Sequence, residues 1–183
     1  MKRFKNTVMV MMSILGLMLI LSCSGNDEDG KPDADKEAHA YDITMEGGEK
    51  FSGEVPKEVF GGTYNPVMFV GYNEDIDGEL LTGLLMDTGK FQVGIGLAMG
   101  GNNQPSIVGN GPGLVFGEWG TEDKYRPAGP VSLTLKNYQE HDISMYGEEG
   151  TAASFALEFS GKFQLGDDGE AVDVSGEVFI AAP

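Results

Sequence analysis

Carboxylates stand at two places in this chain where their neighbours would let them do chemistry. Asp87 is followed by Thr88 and Gly89 and preceded by the apolar run Leu84-Leu85-Met86. An aspartate held in such a turn can share one proton with a second carboxylate about 3 Å away, and the pair then works as acid and base together. Asn73, Asp75 and Asp77 put oxygen donors at alternate positions ahead of Gly78, the spacing of a loop that wraps a hard cation such as calcium. A third set does no proton chemistry but can hold a ligand: Asn102, Asn103 and Gln104, then Trp119, Tyr125 and Arg126. An indole face stacks on the apolar face of a sugar ring, while amides and a guanidinium pair with its hydroxyls. His39 and His141 lie far apart in the sequence, so zinc or iron has little to bind, and His141 after Gln139-Glu140 reads as a solvated loop residue.

Three of these stretches resemble known families. Asp87-Thr88-Gly89 resembles the Asp-Thr-Gly of retropepsin-type aspartic proteases, whose dimers bring two such aspartates around one water, and Ile107-Val108-Gly109 resembles the element downstream of it. That resemblance implies a small hydrolase using Asp87. Lys90 departs from the family, which has alanine or serine there, and sets a cation beside a dyad that needs balanced charge. Aspartate and glycine between two apolar runs also make an ordinary turn, and a turn is the expectation. Asn73 to Leu80 is similar to the first half of an EF-type calcium loop. Leu84 occupies the twelfth position, where that family has a bidentate glutamate, so an acidic hairpin loop is expected and calcium is only a weak candidate. Gly117-Glu118-Trp119 resembles the glycine-x-tryptophan of lipocalins, although it falls past the middle of the domain, and a buried core tryptophan explains it equally.

The single cysteine decides where the chain would reside. Lys2, Arg3 and Lys5 precede an apolar run of fourteen residues, Val8 to Leu21, broken by Ser13 and Gly16. A span needs about 20 residues, so this run has the length of a signal-peptide core. Ile20-Leu21-Ser22-Cys23 resembles the lipobox of bacterial lipoproteins, which implies acylation of Cys23 and cleavage after Ser22. Ser24 and the acidic run Asn26 to Asp29 resemble small Bacteroidota-type surface lipoproteins, which implies an outer-membrane, surface-exposed product; the periplasmic face is the alternative. Residues 24 to 40 hold no aliphatic side chain larger than alanine and no aromatic, so they read as a flexible acidic tether.

Without residues 1 to 22 the chain carries nine basic and 29 acidic residues, a formal charge of −20. Such a surface repels phosphate, which excludes nucleic acid as a partner. Residues 41 to 183 make one domain, large enough to fold around a core without disulfides. Phe155, Leu157, Phe159, Phe163 and Leu165 alternate with polar residues, Gly166-Asp167-Asp168-Gly169 follows, and Val172, Val174, Val178 and Ile180 resume the alternation. Period two on both sides of an Asp-Gly turn predicts a hairpin. Rows at Ile43, Phe51, Phe91 to Met99, Val131 to Leu135 and Ile143 repeat the pattern, and no window has helical spacing. The expected fold is all-β, an antiparallel β-sandwich or open barrel of about eight to ten strands. Opposite the Phe91 row, Gln92, Gly94, Gly96 and Ala98 leave a bare face for a second sheet or a ligand to approach. The long segment Gly100 to Gly113 has little strand pattern and marks a candidate surface with Trp119, Tyr125 and Arg126. The expected function is non-enzymatic: a lipid-anchored β domain that binds a glycan or another envelope protein. The rivals are the Asp87 hydrolase and a barrel holding an apolar ligand.

Overall fold

A computed structural model describes residues 38–60, 63–65, 68–108 and 113–183. Cys23, the signal peptide and the tether through residue 37 lie outside them. The described chain is all-β. Its strands are β1 (Ala38–Met45), β2 (Lys50–Pro56), β3 (Glu58–Phe60), β4 (Thr63–Asn65), β5 (Met68–Asn73), β6 (Gly78–Asp87), β7 (Phe91–Gly100), β8 (Gln104–Ile107), β9 (Gly113–Glu118), β10 (Tyr125–Met145), β11 (Glu148–Leu165) and β12 (Val172–Ile180). Apart from the small β3–β4 hairpin they form one ten-stranded antiparallel sheet in the order β10-β9-β7-β6-β5-β11-β12-β1-β2, with β8 continuing the β9 edge of β7.

A further pairing of β10 with β11 closes six of these strands into a ring. The closure is uneven. β10 and β11 pair along most of their length, whereas β9 meets β10 at one residue pair, Phe116 with Tyr125, and β5 meets β11 at one, Phe69 with Ala152. These two thin seams divide the sheet into two well-paired halves, β10-β11-β12-β1-β2 and β5-β6-β7-β9, which enclose the core between them as a sandwich does.

The alternation that identified the strands also fills that core. Phe155, Leu157, Phe159 and Phe163 of β11 pack with Ile43 of β1, Leu81 and Leu85 of β6, Val93, Ile95 and Leu97 of β7, and Leu114 and Phe116 of β9. Most of these are less than 2 % exposed, and each contributes about 1.5–3 kcal/mol by leaving water. An aromatic chain ties the halves together. Phe91 stacks on Tyr41 and on Phe51 at 4.8 Å, and Phe116 lies within 6.2 Å of Phe91, Tyr125, Phe159 and Phe163.

Several local expectations need correction. β1 starts at Ala38, three residues before Tyr41, and His39 on it is buried, its Nδ1 accepting the amide N–H of Ala181 at 3.0 Å. The rows at Val131 and Ile143 belong to one strand, β10, bent by irregularities between Pro127 and Val131 and between Lys136 and Gln139. Asn137, at φ 51°, provides the second bend. His141 lies on this strand, half-buried, 2.8 Å from the Ser154 hydroxyl, and is no loop residue. The bare face of β7 is covered from within its own sheet: a Cβ on Gly94 would lie 2.9 Å from Val115 Cγ2. The hairpin through Gly166 to Gly169 forms as expected, with Phe163 opposite Val172.

Candidate functional site

Asp87 ends β6, and Asp87-Thr88-Gly89-Lys90 is a turn closed by the Lys90 N–H donating to the Asp87 carbonyl at 2.9 Å. Gly89 sits at φ 81° with no positive φ at Thr88, which is the backbone of a type II turn. The Asp87 carboxylate points inward. Its Oδ2 accepts the Tyr41 hydroxyl at 2.9 Å and its Oδ1 faces the Lys90 ammonium at 3.5 Å. A Cβ on Gly53 would lie 2.9 Å from the same Oδ2 and 2.6 Å from the Tyr41 oxygen, so β2 closes the space beside the carboxylate. Burial, and then the bond to Asp87, push the Tyr41 hydroxyl well above the usual tyrosine range. The group is a polar clasp between β1, β2 and β6. Its partners are a phenol and an ammonium, and neither supplies the second carboxylate that a dyad requires.

The acidic loop is a four-residue hairpin connection, with Asn73 paired to Gly78 across it. Two of its oxygens are already committed. Asn73 Oδ1 accepts the Asp75 N–H at 3.0 Å, an Asx turn, and Asp77, at φ 48°, accepts the Tyr72 hydroxyl at 2.6 Å. Among the described residues no group of three or more histidine, cysteine, aspartate or glutamate side chains converges as a metal site would require.

The third candidate set is split by the register of β7. Gly100 pairs with Gln104 at one end of that strand and Phe91 with Glu118 at the other. Nine residues at roughly 3.3 Å each put about 30 Å between the two places. Asn102 and Asn103, with φ of 61° and 55°, form the tip of the β7–β8 turn, and Gln104 opens β8. Part of the segment read as irregular is therefore strand. Asn102, Asn103 and Gln104 do not share a surface with Trp119.

Trp119, Tyr125 and Arg126 do fall at one end of the molecule, with different roles. Tyr125 stacks on Phe116 at 5.3 Å at the margin of the core, and burial, then Glu49 and Glu118, raise its hydroxyl above the usual range. Arg126 holds Asp167 at 2.7 Å. Trp119 is 38 % exposed, so it is no core tryptophan, and its backbone N–H donates to the Lys90 carbonyl at 3.0 Å. The loop that presents it is knotted around one ammonium. Lys124 Nζ donates to the Glu118 and Thr121 carbonyls at 2.6 Å each and to the Thr121 hydroxyl at 2.8 Å. Lys124 is 9 % exposed, and Gly117 leaves room for its stem. Sequence reasoning missed this residue, because a lysine after Glu122 and Asp123 reads as an ordinary surface charge. Trp119 is thus a partly exposed indole on a loop whose backbone is held by Lys124 and by the Lys90 carbonyl. No protein-family model, curated protein or solved structure matches the chain.

Proposed function

We propose that this chain is a lipoprotein, anchored through Cys23 to the outer membrane and exposed at the cell surface, whose β domain binds a glycan or another envelope protein without chemistry. The observation that carries the binding role is Trp119, which offers an indole face on a loop fixed by Lys124 and by the Lys90 carbonyl. An aromatic face on a held loop costs little backbone ordering entropy on binding. Asn102, Asn103 and Gln104 leave the proposed patch, which contracts to Trp119 and the backbone-linked Lys90. The rivals fare less well. Asp87 is enclosed by Tyr41, Gly53 and Lys90, and the interior that an apolar ligand would need is occupied by a continuous set of buried side chains.

Trp119→Ala tests the reading. It should remove most binding on a glycan array or to envelope extracts, while costing only about 1 kcal/mol in a denaturant melt, as partly exposed positions do. A loss of about 3–5 kcal/mol would mark a core role instead. Unchanged binding by a stable variant would move the site elsewhere.

A further inference from the structure

The thin seam between β9 and β10 leaves a strand edge open. β10 pairs with β11 along most of its length, but on its other edge, among the described residues, only Tyr125 has a strand partner, Phe116 of β9. The regular stretch of that edge is Val131 to Lys136, bounded by the irregularities between Pro127 and Val131 and between Lys136 and Gln139. Its core-facing side chains carry the apolar row to the rim. Leu133 and Leu135 lie opposite Phe159 and Leu157 of β11, which are buried, whereas Val131, Leu133 and Leu135 are only half-buried. Backbone groups able to extend the sheet thus run beside apolar surface that is still partly wet.

At the opposite rim of the sheet, β2 carries Lys50, Glu54 and Pro56, and charges and proline are what keep an edge from pairing. Val131-Ser132-Leu133-Thr134-Leu135 has neither, in a chain of which 22 % is charged. The rest of this sequence offers nothing to cover it. Gly61-Gly62, Pro66-Val67 and Gly109-Asn110-Gly111-Pro112, which fall between the described stretches, are short and have one aliphatic side chain, Val67, among them. Residues 24–37 hold no aliphatic side chain larger than alanine, and residues 1–22 are what lipoprotein processing would remove.

We infer that β10 pairs with β10 of a second copy of this chain, joining two β10-β11-β12-β1-β2 halves into one antiparallel sheet. Such an edge is self-complementary about a two-fold axis. With the axis at Leu133, the centre of the uncharged run, Val131 lies opposite Leu135 of the second copy and Ser132 opposite Thr134. Apolar groups then meet apolar groups, hydroxyls meet hydroxyls, and no charge meets its like. The net charge of the chain opposes association, and the neutral run keeps that charge out of the contact. This inference does not rest on Trp119.

The test takes the full chain in a nonionic detergent at physiological salt and reads the protein mass per particle by light scattering. The unaltered chain should be a dimer. Ser132→Glu with Thr134→Glu, both at exposed positions, sets carboxylates against each other across the axis and should halve the mass. Thr44→Glu with Ser160→Glu adds the same charge to the same face of the sheet, away from the edge, and should leave the dimer intact. A monomeric unaltered chain would overturn the inference, and so would the same outcome in both double variants, whether loss or retention of the dimer. Melts report whether the variants fold. If the edge glutamates unfold the domain, cross-linking decides: Ser132→Cys with Thr134→Cys should give a covalent dimer on mild oxidation where Thr44→Cys with Ser160→Cys gives none, and equal yields would sink the edge pairing.

Discussion

Tyr41 and Asp87 show what a polar pair does inside this core. A carboxyl group that is 11 % exposed needs its lone pairs met, and the Tyr41 hydroxyl meets Oδ2. Tyr41→Phe should destabilise the domain by about 1.5–3 kcal/mol in a denaturant melt, the usual worth of a hydrogen bond to a charged group. The pair also sets a pH response. Because the folded state holds the Tyr41 proton more tightly than the unfolded chain does, stability is intact below the ordinary tyrosine pKa of about 10 and falls as pH rises beyond it. Tyr138, raised by burial and by its bond to Glu140, acts in the same direction. Unfolding midpoints measured from pH 8 to 11.5 should therefore fall above about pH 10, and less steeply in Tyr41→Phe. Asp87 itself was legible only as a turn. Nothing in the spacing of Tyr41, Gly53 and Asp87 along the chain announces that three strands bring them together.

Among the elements, those with local signals were the easiest to read. The rows through Phe91 to Met99 and Phe155 to Leu165 declare strands because one face is buried and the other wet, and the Gly166 to Gly169 turn joins its neighbours within a few residues. What the sequence does not contain is register across distance. The separation of Asn102 from Trp119 follows from which residues of β8 and β9 lie opposite β7, and β10 was read in two pieces because its irregularities interrupt the alternation. His39 was hidden by the polar residues before it, although it faces the core side of β1 together with Tyr41 and Ile43. The loop from Trp119 to Lys124 offers a prediction at this scale. Lys124→Met keeps the apolar stem but strands three acceptors, so the loop should open locally before the rest of the domain. Trp119, the single tryptophan of the chain, should become more accessible to acrylamide and lose hydrogen-exchange protection, while global stability falls by about 1–3 kcal/mol.

For the molecule as a whole, the proposed anchor would decide where the domain sits. Cys23→Ala should leave the precursor without fatty acid and uncleaved, since the sulfur is both the lipid acceptor and part of what the peptidase recognises in lipoproteins that carry a lipobox. Metabolic labelling with a tagged fatty acid checks it, and label retained by the alanine variant would put the anchor elsewhere. The described residues begin at Ala38, the first residue of β1, and β1 is flanked on both sides, by β2 through seven residue pairs and by β12 through six. A pull on the chain ahead of Ala38 therefore loads a strand paired on both edges along its own axis. The ladders on both of its edges must slide together before any one of them breaks, whereas a strand pulled from the rim would peel open pair by pair.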